Sequence, residues 1–175
     1  MAKFNFKAEL DSAKNDVRSK KIETGFYRVI ITQVAEIGYQ KAFNPEDEPQ
    51  LKVGVVFENA VGQQICKIMP LKISSYSHFG QLCLLFDDIE STADLLGKEL
   101  FIEVEGNANW PKITCLYSLE DVMTLEPKIS SQSEFLYFIV DEPNADCLKK
   151  LHADLKKAIS TRIRVKGDEN ASISG

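Results

Sequence analysis

A mainly β fold is what this 175-residue chain predicts: five strands rolled into a small Greek-key barrel, with one helix between strands three and four. Three observations predict it. Short segments rich in β-branched and aromatic residues recur, several of them alternating apolar and polar positions. Clusters of Gly, Asn, Pro and Asp separate those segments as turns. The element order, three strands, a helix and two strands, is that of small closed barrels of the OB type, in which the intervening helix closes one end. An amphipathic helix follows. The same order also suits an open α+β sandwich with that last helix packed on a sheet.

Each element has a local reason. Residues 1–21 read as a polar arm carrying apolar anchors at Phe4, Phe6, Leu10 and Val17. Gly25 opens GFYRVIITQV, in which Tyr27, Val29 and Ile31 alternate with Phe26, Ile30 and Thr32. Both faces are apolar apart from Arg28, so this strand is central, covered on each side, and runs to Ala35. Residues 38–50, with two prolines and three acids, form a loop. LKVGVVFE (51–58) places Leu51, Val53, Val55 and Phe57 at period two, a half-buried strand. A turn at 59–62 joins it to a third strand, GQQICKIMPL.

Serines 74, 75 and 77 then offer helix caps ahead of SHFGQLCLLF, where Phe79, Leu82, Cys83 and Phe86 recur at helical spacing. A second short helical turn in DIESTADLL stops at Gly97, suited to the position after a C-cap. KELFIEVEG (98–106) and WPKITCLYSL supply strands four and five. In 144–160, Asn144 is the expected cap, and Leu148, Leu151, Leu155 and Ile159 line one side of an amphipathic helix. The organisation expected is an arm (1–21), a barrel (22–125), a helical extension (126–165) and a flexible tail (166–175).

Composition removes several functional classes. No apolar run approaches the roughly 18 residues a membrane span needs, and the first 16 residues lack the apolar middle of a signal peptide. A cytoplasmic protein without a membrane partner is expected. Cys66, Cys83, Cys115 and Cys147 are widely spaced, no CxxC occurs, and His78 and His152 are not at ligand spacing to them. Four reduced, mostly packed thiols and no metal site follow. His152, among lysines on a helix, reads as a solvated surface histidine, and His78 as structural.

The net charge is −5, unevenly spread. Residues 1–21 hold six basic and three acidic side chains; 22–125 hold seven basic and fifteen acidic; 149–166 hold seven basic against Asp154 alone. Basic ends thus flank an acidic middle. Phosphate-binding signatures (GxxxxGK[ST], GxGxxG) and the GxSxG nucleophile turn are absent. Glu103 with Glu105, and Asp87 with Asp88, are the carboxylate pairs a metal-dependent nuclease would need, but alternating strand charges read first as a wet face. No enzymatic activity and no cofactor are expected.

GFYRVIITQV, the strand pair after an acidic loop, LKISSYSHFGQLCLLF, GKELFIEVEG, and FLYFIVDEP followed by a helix together resemble OB-fold single-stranded-DNA-binding proteins. Such relatives belong to recombination and replication modules of bacteriophages and other mobile elements. The resemblance covers roughly residues 22–160. It departs from bacterial single-strand binders at KGDENASISG, which lacks an acidic run ending in apolar residues. It implies a non-catalytic protein that binds single-stranded DNA, with a recombinase or replication protein as a further partner.

Such binding needs aromatic platforms beside basic groups, on strands two and three and on the loops joining strands one to two and four to five. The sequence supplies Tyr39, Lys41 and Phe43 in the first loop, Lys52 on the wet face of strand two, and Lys67 and Lys72 on or after strand three. Trp110 and Lys112 follow the last turn. Structural roles stand beside these: Trp110 as a plug for the barrel end, Tyr39 and Phe43 packed back on the barrel, the lysines as solubilising charge. The basic C-terminal helix serves as a solvated face, a second phosphate strip or a partner-docking surface. Apolar residues 135–139 anchor that helix or form a homo-oligomer interface. A protein–protein adaptor or inhibitor on the same barrel is the alternative, which the acidic middle suits.

Overall fold

The computed structural model describes residues 4–19 (side chains to 13), 21–106, 109–122, 128–129 and 133–163. Its centre is β1 (Gly25–Gln40), paired along one edge with antiparallel β2 (Gln50–Asn59). The other edge is shared. Antiparallel β4 (Glu99–Glu105) takes Gly25–Ile30, and β6 (Leu136–Ile139) runs parallel to Gln33–Glu36. β3 (Gln64–Pro70) pairs with β2, and β5 (Lys112–Tyr117) with β4, giving the order β3-β2-β1-β4-β5 with β6 off this path.

The closed barrel expected from the sequence is not formed by the ladder: the sheet is open between β3 and β5. Lys67 supplies a physical reason. It pairs with Val55 and so shares a face with the core residues Ile65 and Met69. Its Nζ crosses the gap to donate to the Ile113 carbonyl at 3.4 Å. Closing the seam would bury an ammonium without a counter-charge, which costs more than a few ladder bonds return.

Both faces of the sheet are covered. The inner core packs Val29, Ile31, Val53, Val55, Phe57, Leu100 and Ile102 against Phe79, Leu82 and Leu95. Phe79 and Leu82 come from α2 (His78–Cys83), capped by Ser77, whose Oγ accepts from the Gly80 N–H at 3.0 Å. Leu95 comes from a 3₁₀ turn, Thr92–Leu95, and Gly97 follows its C-cap at φ +80°, as the turn requires. The outer core packs Ala35, Ile37 and Val56 against β6 and the buried Leu151, Leu155 and Ile159. Strand two is therefore buried on both faces over Val53–Asn59, not half-buried as its alternation predicts. Gly54 makes this fit possible, since a Cβ there would lie 2.0 Å from Leu155 Cδ2.

Five further expectations change. β1 continues past Ala35 to Gln40, because Gly38 (φ +77°) absorbs a register shift and lets the hairpin extend into the predicted loop. The arm contains a helix, α1 (Phe6–Ser19), and its anchors do not anchor: Phe4 and Phe6 are 77% and 70% exposed, and Leu10 is exposed too. Residue 17's side chain and the tail 166–175 lie outside the described residues.

The C-terminal helix is two helices, α3 (Ala145–Lys150) and α4 (Ala153–Ser160). At the break the His152 N–H donates to buried Gln33 Oε1 at 2.7 Å, and His152 Nδ1 accepts from the Asp154 N–H at 3.1 Å. His152 is thus an N-cap with a side chain only 22% exposed, not a solvated surface residue. The extension is also part of the sheet, because β6 carries Leu136 and Phe138 into the outer core. Among the described residues no helix is long and apolar enough to cross a membrane.

Candidate nucleic-acid interface

The basic groups of the acidic middle divide in two. Arg28 and Lys98 are ion-paired, with Glu99 at 3.1 Å and Asp88 at 2.6 Å. The other five are Lys41, Lys52, Lys67, Lys72 and Lys112, and none of them has an ion-pair partner among the described residues. Fifteen carboxylates share this stretch of chain, yet among the described residues none of them pairs with these five ammonium groups.

Lys67 and Lys112 line one cleft of about 240 Å³ at the β3–β5 seam, with His78, Gln81, Thr114 and Cys115, and no carboxylate lines it. Burial, reinforced by the Lys112 charge, holds the Lys67 pKa below the ordinary lysine value. Two cations are thus held together in a site that favours an anion. Two residues before Lys112, Trp110 stands 79% exposed, which excludes the role of barrel plug. Lys21 Nζ lies 5.9 Å from its ring centroid and donates to the Asn109 carbonyl at 2.8 Å.

Tyr39 and Lys52 line a second cleft with Arg162 and the acids Glu36 and Asp141. Tyr39 is half-buried, and its carbonyl accepts from the Ile163 N–H at 2.8 Å, tying this end of the hairpin to the C-terminal segment. Lys52 lies on the face that carries Gly54 and Val56. Covered by α4 further along, that face is open at Lys52 only in part, so it is not the simple wet face predicted. Lys41 and Phe43 are exposed in the loop beyond, Phe43 completely.

β3 joins the two places. Lys52 pairs with Pro70, the Leu71 N–H donates to the Leu51 carbonyl, and exposed Lys72 follows. Lys67 lies three residues before the end of β3 at Pro70, about 10 Å of strand, and Lys72 follows in the turn where its N–H donates to the Pro70 carbonyl. Trp110 and Phe43 belong to opposite ends of this strip, and no contact joins them. His78, Gln81 and Lys21 belong to the strip and carry no sequence signal of it, since each is placed by the packing of α2 or by the chain leading into β1.

Acidic groups gather elsewhere. Asp87, Asp88, Glu99, Glu120 and Asp121 line a cleft of about 500 Å³ between the segment after α2 and the end of β5, together with exposed Leu84 and Leu119. Asp88 is held by Lys98 and Glu99 by Arg28 and the Ile129 N–H, so these carboxylates are already engaged. Among the thiols only Cys115 is exposed. Burial, helped by the Asp154 carboxylate, pushes the Cys66 thiol up to about 12, far from an activated nucleophile.

A scan against protein-family models and a search of curated proteins find no match to the chain.

Proposed function

We propose that the chain is a non-catalytic single-stranded-DNA-binding protein built on an OB-like barrel, acting in phage or mobile-element recombination or replication. The strand order β3-β2-β1-β4-β5 is that of such a barrel unrolled between strands three and five, which supports the reading. One observation carries the ligand: five lysines of an acidic stretch have no carboxylate partner among the described residues, with Lys67 on β3, Lys52 and Lys72 at its end, Lys112 across the seam and Lys41 in the loop that also holds the exposed Phe43. Phosphates are held by Lys41, Lys52, Lys67, Lys72 and Lys112, and bases stack on Phe43 and Trp110, with Tyr39 at the rim. Each stacked base is worth about 1–3 kcal/mol, which offsets the weak attraction expected of a chain with net charge −5. A recombinase or replication protein is the second partner implied, met in the cytoplasm.

Titrating a fluorescent oligothymidine with the protein at two salt concentrations tests this. Anisotropy should rise at low salt and Trp110 fluorescence should fall, with affinity dropping steeply as salt increases. No signal at tens of micromolar protein in low salt overturns the reading. The acidic cleft supports a second reading, an adaptor that takes a basic, apolar peptide against Leu84 and Leu119. Binding of such a peptide and not of DNA would favour it.

A further inference from the structure

We infer that Cys66, His152 and Asp154 form a binding site for a zinc-class divalent cation, which clamps the junction of α3 and α4 onto β3. Cys66 is far in sequence from the other two, 86 positions separating it from His152, yet the ligand atoms of all three lie within 4.8 Å of one another. Topology brings them together. Cys66 pairs with Val56, so its side chain points to the outer face and packs with the core there. The break between α3 and α4 turns His152 and Asp154 back toward that face.

The donor set is chemically specific. Thiolate, imidazole and carboxylate together suit zinc and its analogues and do not suit magnesium or calcium, which take oxygen ligands. Coordination bonds of about 2.0–2.3 Å put tetrahedral ligand atoms about 3.4–3.7 Å apart. The existing separations need to close by about 1 Å from the 4.8 Å limit, within reach of side-chain rotation because Asp154 is exposed. The Cys66 thiol has no hydrogen-bond partner among the described residues, so no existing bond holds it back. Binding expels the thiol proton to solvent, and thiolate and carboxylate then balance a 2+ ion. His152 Nδ1 gives up the cap bond from the Asp154 N–H, or turns, when the ring coordinates. A water completes four-coordination on the solvent side of Asp154. Lys52 shares this outer face toward the end of β3, but none of the three donors belongs to the proposed DNA strip, so the two readings stand or fall separately.

Cobalt(II) titrated into the full-length, chelator-treated protein is the probe. A thiolate-to-cobalt charge-transfer band should appear and saturate at one ion per chain, and zinc should displace it. Cys66→Ser should abolish the band, while Cys115→Ser and Cys147→Ser should keep it. Asp154→Asn, a change at an exposed position that leaves the fold intact, should weaken cobalt binding about 100-fold, as should His152→Gln. Absence of a band at excess cobalt overturns the proposal. So does a band that survives Cys66→Ser, or an affinity unmoved by Asp154→Asn.

Discussion

The seat of α4 on β2 can be tested by a double-mutant cycle at Gly54 and Leu155. Leu155 is fully buried in the outer core, so Leu155→Ala should cost about 2–5 kcal/mol from lost burial and the cavity left behind. Gly54→Ala would gain about 0.5–1 kcal/mol from replacing a strand glycine. Its new Cβ, however, would sit 2.0 Å from Leu155 Cδ2 in a packed interior. Relieving that clash costs about 1–3 kcal/mol, so the single change should destabilise by up to about 2.5 kcal/mol net. In the double variant the methyl at 54 enters space that Leu155 has vacated. The double variant should then be more stable than the sum of the singles by about 1–3 kcal/mol. Urea unfolding by linear extrapolation reads each corner, and each kcal/mol also moves Tm by about 2–4 °C. Additivity to within about 0.5 kcal/mol would refute the contact and with it the covered outer face.

Other outcomes follow from the same packing and charge arrangement. Trp110→Ala and Phe43→Ala should each lose about 1–3 kcal/mol of oligothymidine affinity while Tm stays put, since both rings are exposed; a fall in Tm without loss of binding would make them structural. Lys67 has its pKa lowered by burial and by Lys112, whereas a bound phosphate favours the ammonium. Affinity should therefore fall as pH rises through that lowered pKa, and Lys67→Arg should flatten the profile; an unchanged profile in that variant refutes the assignment. In the native protein Cys115 should react first with a thiol reagent and Cys66 last, because Cys66 is buried and almost wholly protonated. Peptide mass spectrometry after timed labelling reads the order, and early labelling of Cys66 would contradict the packing.

Most strand positions were legible because period-two alternation survives wherever one face meets the core, as in Leu100, Ile102 and Val104. Helix α2 was legible from its serine cap and its Phe79–Leu82 spacing. What failed has physical causes. β6 is four residues long, and an apolar run that short does not distinguish an anchor, an interface or a strand; its parallel pairing with β1 depends on a partner about 100 positions away. The break at Leu151–His152 is set by Gln33 on a different element, while the leucine spacing alone reads as one continuous helix. The open seam turns on one inward lysine, Lys67, in an otherwise ordinary strand. For the candidate interface, the sequence named the lysines, but only the fold shows that they have no ion-pair partner among the described residues and that Lys52, Lys67, Lys72 and Lys112 lie on β3, at its end or across the seam beside it. Convergence of Cys66 on His152 and Asp154 had no spacing signal at all, because it is made by the turn between α3 and α4.

The central claim is a location, a basic strip along β3 that receives single-stranded DNA, and an amide chemical-shift map on adding oligothymidine reads that location directly. The strip predicts perturbations at Lys41–Phe43, Lys52, Lys67, Lys72 and Trp110–Thr114, fading as salt is raised. Perturbations confined to Leu84–Asp88 and Ser118–Asp121, or none anywhere at saturating oligonucleotide, would contradict it.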